Sequence, residues 1–94
     1  MTVHDVSLVL RNSRAKGTDK LILIGIADHN GGGGSWPGIA TLASYANIEA
    51  RSVQRSLTRL VEMGELVIHY NSGGTHRTRN DRRPNRYEIT LDGV

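Results

Sequence analysis

Residues 37–64, PGIATLASYANIEARSVQRSLTRLVEMG, decide how the chain folds. Ile39, Leu42, Ala43 and Ala46 recur at i, i+3, i+4 and i+7, the single apolar stripe of a helix that packs on one side. Pro37 suits a first helical position, where its missing N–H is an orphan in any case. Together they predict a helix over about 37–46. Asn47 breaks the pattern, and asparagine tolerates the left-handed backbone that a tight interhelical turn needs. Ile48 is an apolar plug inside that turn. Val53, Leu57, Leu60 and Val61 then form a second stripe, which predicts a helix over about 50–63 closed by Gly64 at a left-handed C-cap. Opposite this stripe lie Arg51, Arg55, Thr58 and Glu62, with Ser52 and Arg59 at the flanks.

Upstream, two more helices are expected. Val3, Val6, Val9 and Leu10 make a short stripe over about 3–12, and Thr2 and Asp5 have capping-box spacing. Residues 18–29 follow the loop SRAKG, with Thr18 as N-cap and Asp19 at the positive end of the helix dipole. That segment is apolar on nearly every side, and a buried strand is the competing reading. The cap, the length and the Asn30–Gly31 stop favour a helix. Gly25 in its middle costs about 1 kcal/mol against alanine, so it is expected to mark a close helix contact. The glycine run 31–34 lacks the Gly-Lys-Ser/Thr of a phosphate-binding loop and is read as a connection. Trp36 beside Pro37 is expected to pack. Tyr45 lies off its helix's stripe and is a candidate for DNA backbone or a second subunit.

Downstream the period changes from 3.6 to 2. Leu66, Ile68 and Tyr70 alternate with Val67 and His69, and Tyr87, Ile89 and Leu91 alternate with Arg86, Glu88 and Thr90. These are two strands, about 65–70 and 86–91, with one face on the core. The polar segment 71–85 between them is expected to be a mobile loop in solvent. A brief third strand near Ser35–Trp36 would complete a small sheet.

Ninety-four residues make one domain, spanning 1–94, and the chain has no cysteine, which rules out disulfides and thiolate metal sites. The start, MTVHDVSLVL, has neither the basic lead nor the cleavage site of a signal peptide. The longest apolar run, Leu21–Ala27, is far short of the ~20 residues that span a bilayer. No membrane association is expected. Net charge is +3, unevenly placed: residues 1–50 carry four basic and four acidic side chains, residues 51–94 eight and five. The positive excess lies with the second helix of the opening stretch and the hairpin, the parts that would face a polyanion.

In order, these elements make a mainly α fold with a small β-hairpin wing. The chain therefore resembles a winged helix-turn-helix domain. More narrowly, it is similar to the helix-turn-helix family of actinobacterial and phage proteins that includes replication-initiator-like proteins. The residues that carry the resemblance are Ala27–His29, Trp36, Pro37, Ile39, Leu42–Ala43, Val53–Arg55 and Gly64, over about Leu21–Val67, with Asn85–Ile89 as the final strand. Asn47 stands where the family usually has glycine, and Glu49 where it usually has a serine or threonine cap. The resemblance implies duplex DNA as partner, no catalysis, and a cytoplasmic, nucleoid-associated place in a bacterial or phage-infected cell. It leaves open a transcriptional regulator, an excisionase-like factor or a replication-origin-binding factor.

The residue chemistry agrees. Arg51 and Arg55 lie four apart on an exposed face, and arginine can take guanine O6 and N7 with two hydrogen bonds. Gln54 can do the same for adenine. Ser52, Thr58 and Arg59 complete a recognition-helix set for base edges and phosphates. In the wing, His76, Arg77, Arg79, Arg82, Arg83 and Arg86 suit phosphates or a narrow minor groove. Arg11, Arg14, Lys16 and Lys20 make a thinner patch, read as solvated. The four histidines lack metal-ligand spacing, and no serine has a positioned histidine and acid, so neither a metal, a cofactor nor a catalytic site is expected. A single recognition helix offers one half-site, so a homodimer on DNA is a possible arrangement. The rival reading is a protein-interaction module on the same scaffold, such as a phage-type factor engaging a host protein.

Overall fold

A computed structural model describes residues 3–30, 34–74, 79 and 83–91. Four helices, α1 (Val3–Asn12), α2 (Gly17–Asp28), α3 (Ile39–Ala46) and α4 (Ala50–Glu62), precede an antiparallel pair of strands, β1 (Leu66–His69) and β2 (Arg86–Ile89). This is the mainly helical, winged arrangement that the sequence predicts.

The hub is α2, which packs against α1, α3, α4 and β2. That explains its composition: a helix covered on most sides must be apolar on most sides. Ile22, Leu23, Ile26 and Ala27 are fully buried, and they meet Val9, Leu42, Val53, Leu60 and Leu66 in one core. Each buried Val, Leu or Ile side chain contributes about 1.5–3 kcal/mol of transfer free energy. Leu21 is the exception and faces solvent. Gly25 marks a close approach, as expected: a Cβ there would lie 2.7 Å from Cδ2 of Tyr45 on α3.

The turn between α3 and α4 rests on Asn47, which takes the left-handed conformation (φ 52°, ψ 48°). The Ile48 amide donates to the Ala43 carbonyl at 3.2 Å, and the Ile48 side chain packs half-buried on the core. At its far end α4 closes with two reverse bonds, Gly64 N to Val61 O at 3.0 Å and Glu65 N to Leu60 O at 3.1 Å. They form a Schellman motif that requires the positive φ of Gly64, +80°.

Several boundaries differ from the sequence expectation. Helix α3 starts at Ile39, with Gly38 as its N-cap, so Pro37 lies in the connection. The preceding segment is held extended instead: Tyr87 N donates to Ser35 O at 2.7 Å, and Ser35 Oγ donates to Ile26 O at 2.7 Å. The bridge from Ser35 to Tyr87 is what the described residues show of the expected third strand. Helix α2 starts at Gly17, so Thr18 lies inside its first turn and Lys16 is the N-cap by backbone position only. Thr2 lies outside the described residues, whereas Asp5 accepts a hydrogen bond from Asn30 Nδ2 at 2.9 Å. In α4 the inward face includes buried Ser56, while Val61 is 43% exposed. Val53, Ser56, Leu57 and Leu60 repeat at three and four residues, and Val61 falls at the edge of that arc. Leu10, placed in the stripe of α1, is likewise exposed.

The strands pair Leu66 with Ile89 and Ile68 with Tyr87, so these four share the core-facing side. Both strands are shorter than expected. After His69 the chain turns, Asn71 takes φ 55°, and Tyr70 leaves the core face to become 69% exposed.

Glu65, in the turn before β1, carries no signal in the sequence, yet it is buried and ties three segments together. Its carboxylate accepts Ser13 Oγ at 2.5 Å and the Arg14 amide at 2.8 Å. Its backbone carbonyl accepts Thr90 N at 3.0 Å. The loop after α1 is thereby fixed to the root of the hairpin.

Candidate nucleic-acid interface

Helix α4 presents two faces set by its sequence alone. One is sealed into the core. The other carries Arg51, Gln54, Arg55 and Thr58, all exposed, with Ser52 half-buried at the side. Neither Arg51 nor Arg55 has a hydrogen bond or ion pair among the described residues, so both guanidiniums remain directed at solvent. Thr58 Oγ1 donates back to Gln54 O at 3.1 Å, which leaves its oxygen lone pairs and methyl group outward. The expected group of Arg51, Ser52, Gln54, Arg55 and Thr58 is thus brought to one side of one helix.

Arg59 behaves differently. Its Nε and Nη2 donate to Asp19 of α2 at 2.7 and 2.8 Å, and Nη2 also reaches Ser56 Oγ at 3.4 Å. The fork holds the Asp19 carboxyl below its usual range, with partial burial opposing the shift, and it holds the Arg59 guanidinium more firmly protonated. Arg59 therefore helps to lock α4 onto α2. Glu49 caps α4 by backbone position, its carbonyl accepting Val53 N at 3.1 Å, and its exposed carboxylate makes no capping bond.

Tyr45 was a candidate for outside contact, but the fold uses it internally. Its hydroxyl donates to Asp28 Oδ2 at 2.5 Å, and its ring makes a T-shaped contact with His29, centroids 6.0 Å apart. The bond to Asp28, then burial, pushes the Tyr45 hydroxyl up to about 12.

The wing root is anchored. Gly73 N donates to Pro84 O at 2.8 Å, Asn71 N to Asn85 Oδ1 at 3.1 Å, and Arg83 Nη1 to Gly73 O at 3.0 Å. Gly73 is buried against Trp36: a Cβ there would fall 2.5 Å from the Trp36 Cβ and 3.1 Å from Pro84. Trp36 therefore packs, as its place beside Pro37 implies, and what it packs against is the base of the wing. The loop expected to be mobile is at least partly tied at 71–74 and 83–85. Arg79 is exposed, while Arg83 and Arg86 are half-buried, Arg86 lying over Gly34. His76, Arg77 and Arg82 lie outside the described residues. His69 and Glu88 pair at 2.8 Å on the outer sheet surface.

Among the described residues no group of three His, Cys, Asp or Glu could hold a metal ion. No described helix is long and apolar enough to cross a membrane. The basic residues of the thinner patch are partly occupied in the fold, Lys20 Nζ donating to Leu10 O at 3.0 Å and Arg11 Nε to Ser7 O at 3.4 Å.

Helices α2, α3 and α4 with the hairpin behind them define the class: a helix-turn-helix with one wing. A family model described as a helix-turn-helix domain matches residues 16–65, from the entry of α2 through the C-cap of α4. The chain belongs to the helix-turn-helix domain family. Membership suggests DNA binding. No curated protein and no solved structure gives a significant match.

Proposed function

We propose that the chain binds duplex DNA with α4 in the major groove and the arginine-bearing wing on the adjacent backbone or minor groove. The observation that carries this reading is the division of α4. One face is fully used by the core, while the opposite face offers Arg51 and Arg55 with no partner among the described residues. A surface arginine pair that the fold does not consume, on the second helix of a helix-turn-helix, has the placement and chemistry for guanine edges. Ser52, Gln54 and Thr58 supply neutral donors and acceptors beside it. The wing arginines, Arg77, Arg79, Arg82, Arg83 and Arg86, with His76, supply sequence-independent attraction. Arg59 belongs to the helix–helix lock first and to the DNA face second.

Such a domain acts as a small transcriptional regulator, an excisionase-like architectural factor or an origin-binding factor, in each case by occupying a site. Selection of preferred duplexes from random DNA, followed by titration at two salt concentrations, tests the division of labour. Arg51→Ala and Arg55→Ala are expected to cost roughly 1–3 kcal/mol on the preferred site and to relax base preference. Arg79→Ala is expected to weaken all duplexes alike and to reduce the salt slope by about one. Equal losses on every sequence from both sets would refute the assignment. No duplex binding even at low salt would point to a protein partner on the same scaffold.

A further inference from the structure

We infer that the groove between α4 and the hairpin seats one sugar–phosphate strand of the duplex, with Tyr70 as a neutral contact to that strand. The inference rests on the DNA-binding reading above and adds a site to it. A helix in the major groove and a wing in the next minor groove stand on opposite sides of one strand, because that strand is the wall between the two grooves. Whatever lies between α4 and the wing on the protein must therefore meet it.

What lies there is a groove of about 290 Å³. Gln54, Leu57 and Thr58 of α4 form one side, and Ile68, Tyr70 and Asn85 of the hairpin form the other. Every lining side chain is uncharged, while Arg51 and Arg55 share the exposed face of α4 with its lining residues Gln54 and Thr58. The floor is apolar, provided by Leu57 and Ile68, and the rim carries hydroxyl and amide groups from Thr58, Tyr70, Gln54 and Asn85. That combination fits a deoxyribose on the floor with its phosphates at the rim. Neutral side chains of these types commonly bond phosphate oxygens. The two arginines on the α4 side favour a polyanion over an apolar peptide, which would also leave the amides and hydroxyls unpaired.

Tyr70 is the informative residue. It is the most exposed large apolar side chain in the described structure, at 69%, and it stands at the mouth of the groove. The left-handed turn at Asn71 lifts it off the core face. A ring held in solvent there contributes little to folding and is placed to cover a sugar, with its hydroxyl reaching phosphate.

The test is a polarisation titration of Tyr70→Ala, Tyr70→Phe and Arg55→Ala on the selected duplex and on a scrambled one, at several salt concentrations. A thermal melt of each variant accompanies it. Tyr70→Ala is expected to melt like the parent and to weaken both duplexes by the same factor, roughly 3- to 10-fold, the scale of a neutral hydrogen bond and its packing. The slope of log affinity against log salt is expected to stay unchanged, since no cation is lost. Tyr70→Phe is expected to recover part of the loss. Parent-like binding by Tyr70→Ala, a loss confined to the selected duplex, or a shallower slope would each overturn the groove assignment. If Arg55→Ala relaxes base preference while Tyr70→Ala changes nothing, only this inference falls. If the parent binds no duplex, the DNA reading falls with it.

Discussion

Gly25→Ala should destabilise this protein, although alanine is the better helix former. In an ordinary helix interior the change gains about 1 kcal/mol. Here the added methyl would sit 2.7, 3.0 and 3.1 Å from three carbons of the Tyr45 ring. The ring cannot simply swing away, because its hydroxyl is bonded to Asp28 and it makes a T-shaped contact with His29. Forcing a methyl into such a contact costs about 1–3 kcal/mol, and displacing the hydroxyl from the carboxylate costs about 1 kcal/mol more. After the propensity gain, a net loss of about 1–3 kcal/mol remains. For a domain of this size each kcal/mol shifts the melting temperature by about 4–8 °C. A double-mutant cycle isolates the cause. In a Tyr45→Ala background the same substitution should become neutral or stabilising, giving a coupling energy of about 1–4 kcal/mol. A Gly25→Ala variant as stable as the parent, or additive with Tyr45→Ala, would refute the reasoning.

Tyr45 also predicts an alkaline limb. Its folded-state value is raised to about 12 from 10.0, so the stabilisation is complete below pH 10 and is lost as pH rises towards 12. Tyr45→Phe should flatten that limb in a pH series of urea midpoints. Asp19 behaves with the opposite sign: the Arg59 fork depresses it below 3.8, so its contribution is present above about pH 4 and lost as pH falls through the depressed value. Asp19→Asn should remove that acid dependence, and because Arg59 is exposed the effect on stability should be small. Glu65→Ala should cost about 2–4 kcal/mol by chemical denaturation, because it leaves Ser13 Oγ and the Arg14 amide without their acceptor. Glu65→Gln should recover part of that, and a loss under 1 kcal/mol from the alanine change would show the latch to be dispensable.

The element order was legible because each element carries a local physical signature. The stripes of α3 and α4 follow a 3.6 period, the strands follow a period of 2, and Asn47 and Gly64 occupy the positions where backbone chirality penalises other residues. Even the close contact at Gly25 could be anticipated, since a mid-helix glycine costs free energy unless something fills its space. The alternation that guided the strands failed at Tyr70, because a period describes a strand only while the strand lasts. The signal for its end was Asn71, a residue that readily takes positive φ.

By itself, then, the sequence determined the helix-turn-helix with its wing, the buried stripe of α4 and the presence of arginines on the opposite face. These depend on patterns within one element, where a residue's neighbours in space are its neighbours in the chain. Only the tertiary structure decided which polar side chains the fold consumes. Asp19 lies 40 residues from Arg59 and Glu65 lies 52 residues from Ser13, and no local period reports such pairs. Those long-range bonds draw Arg59, Tyr45 and Glu65 into the frame, and they leave Arg51, Arg55 and Tyr70 facing outward.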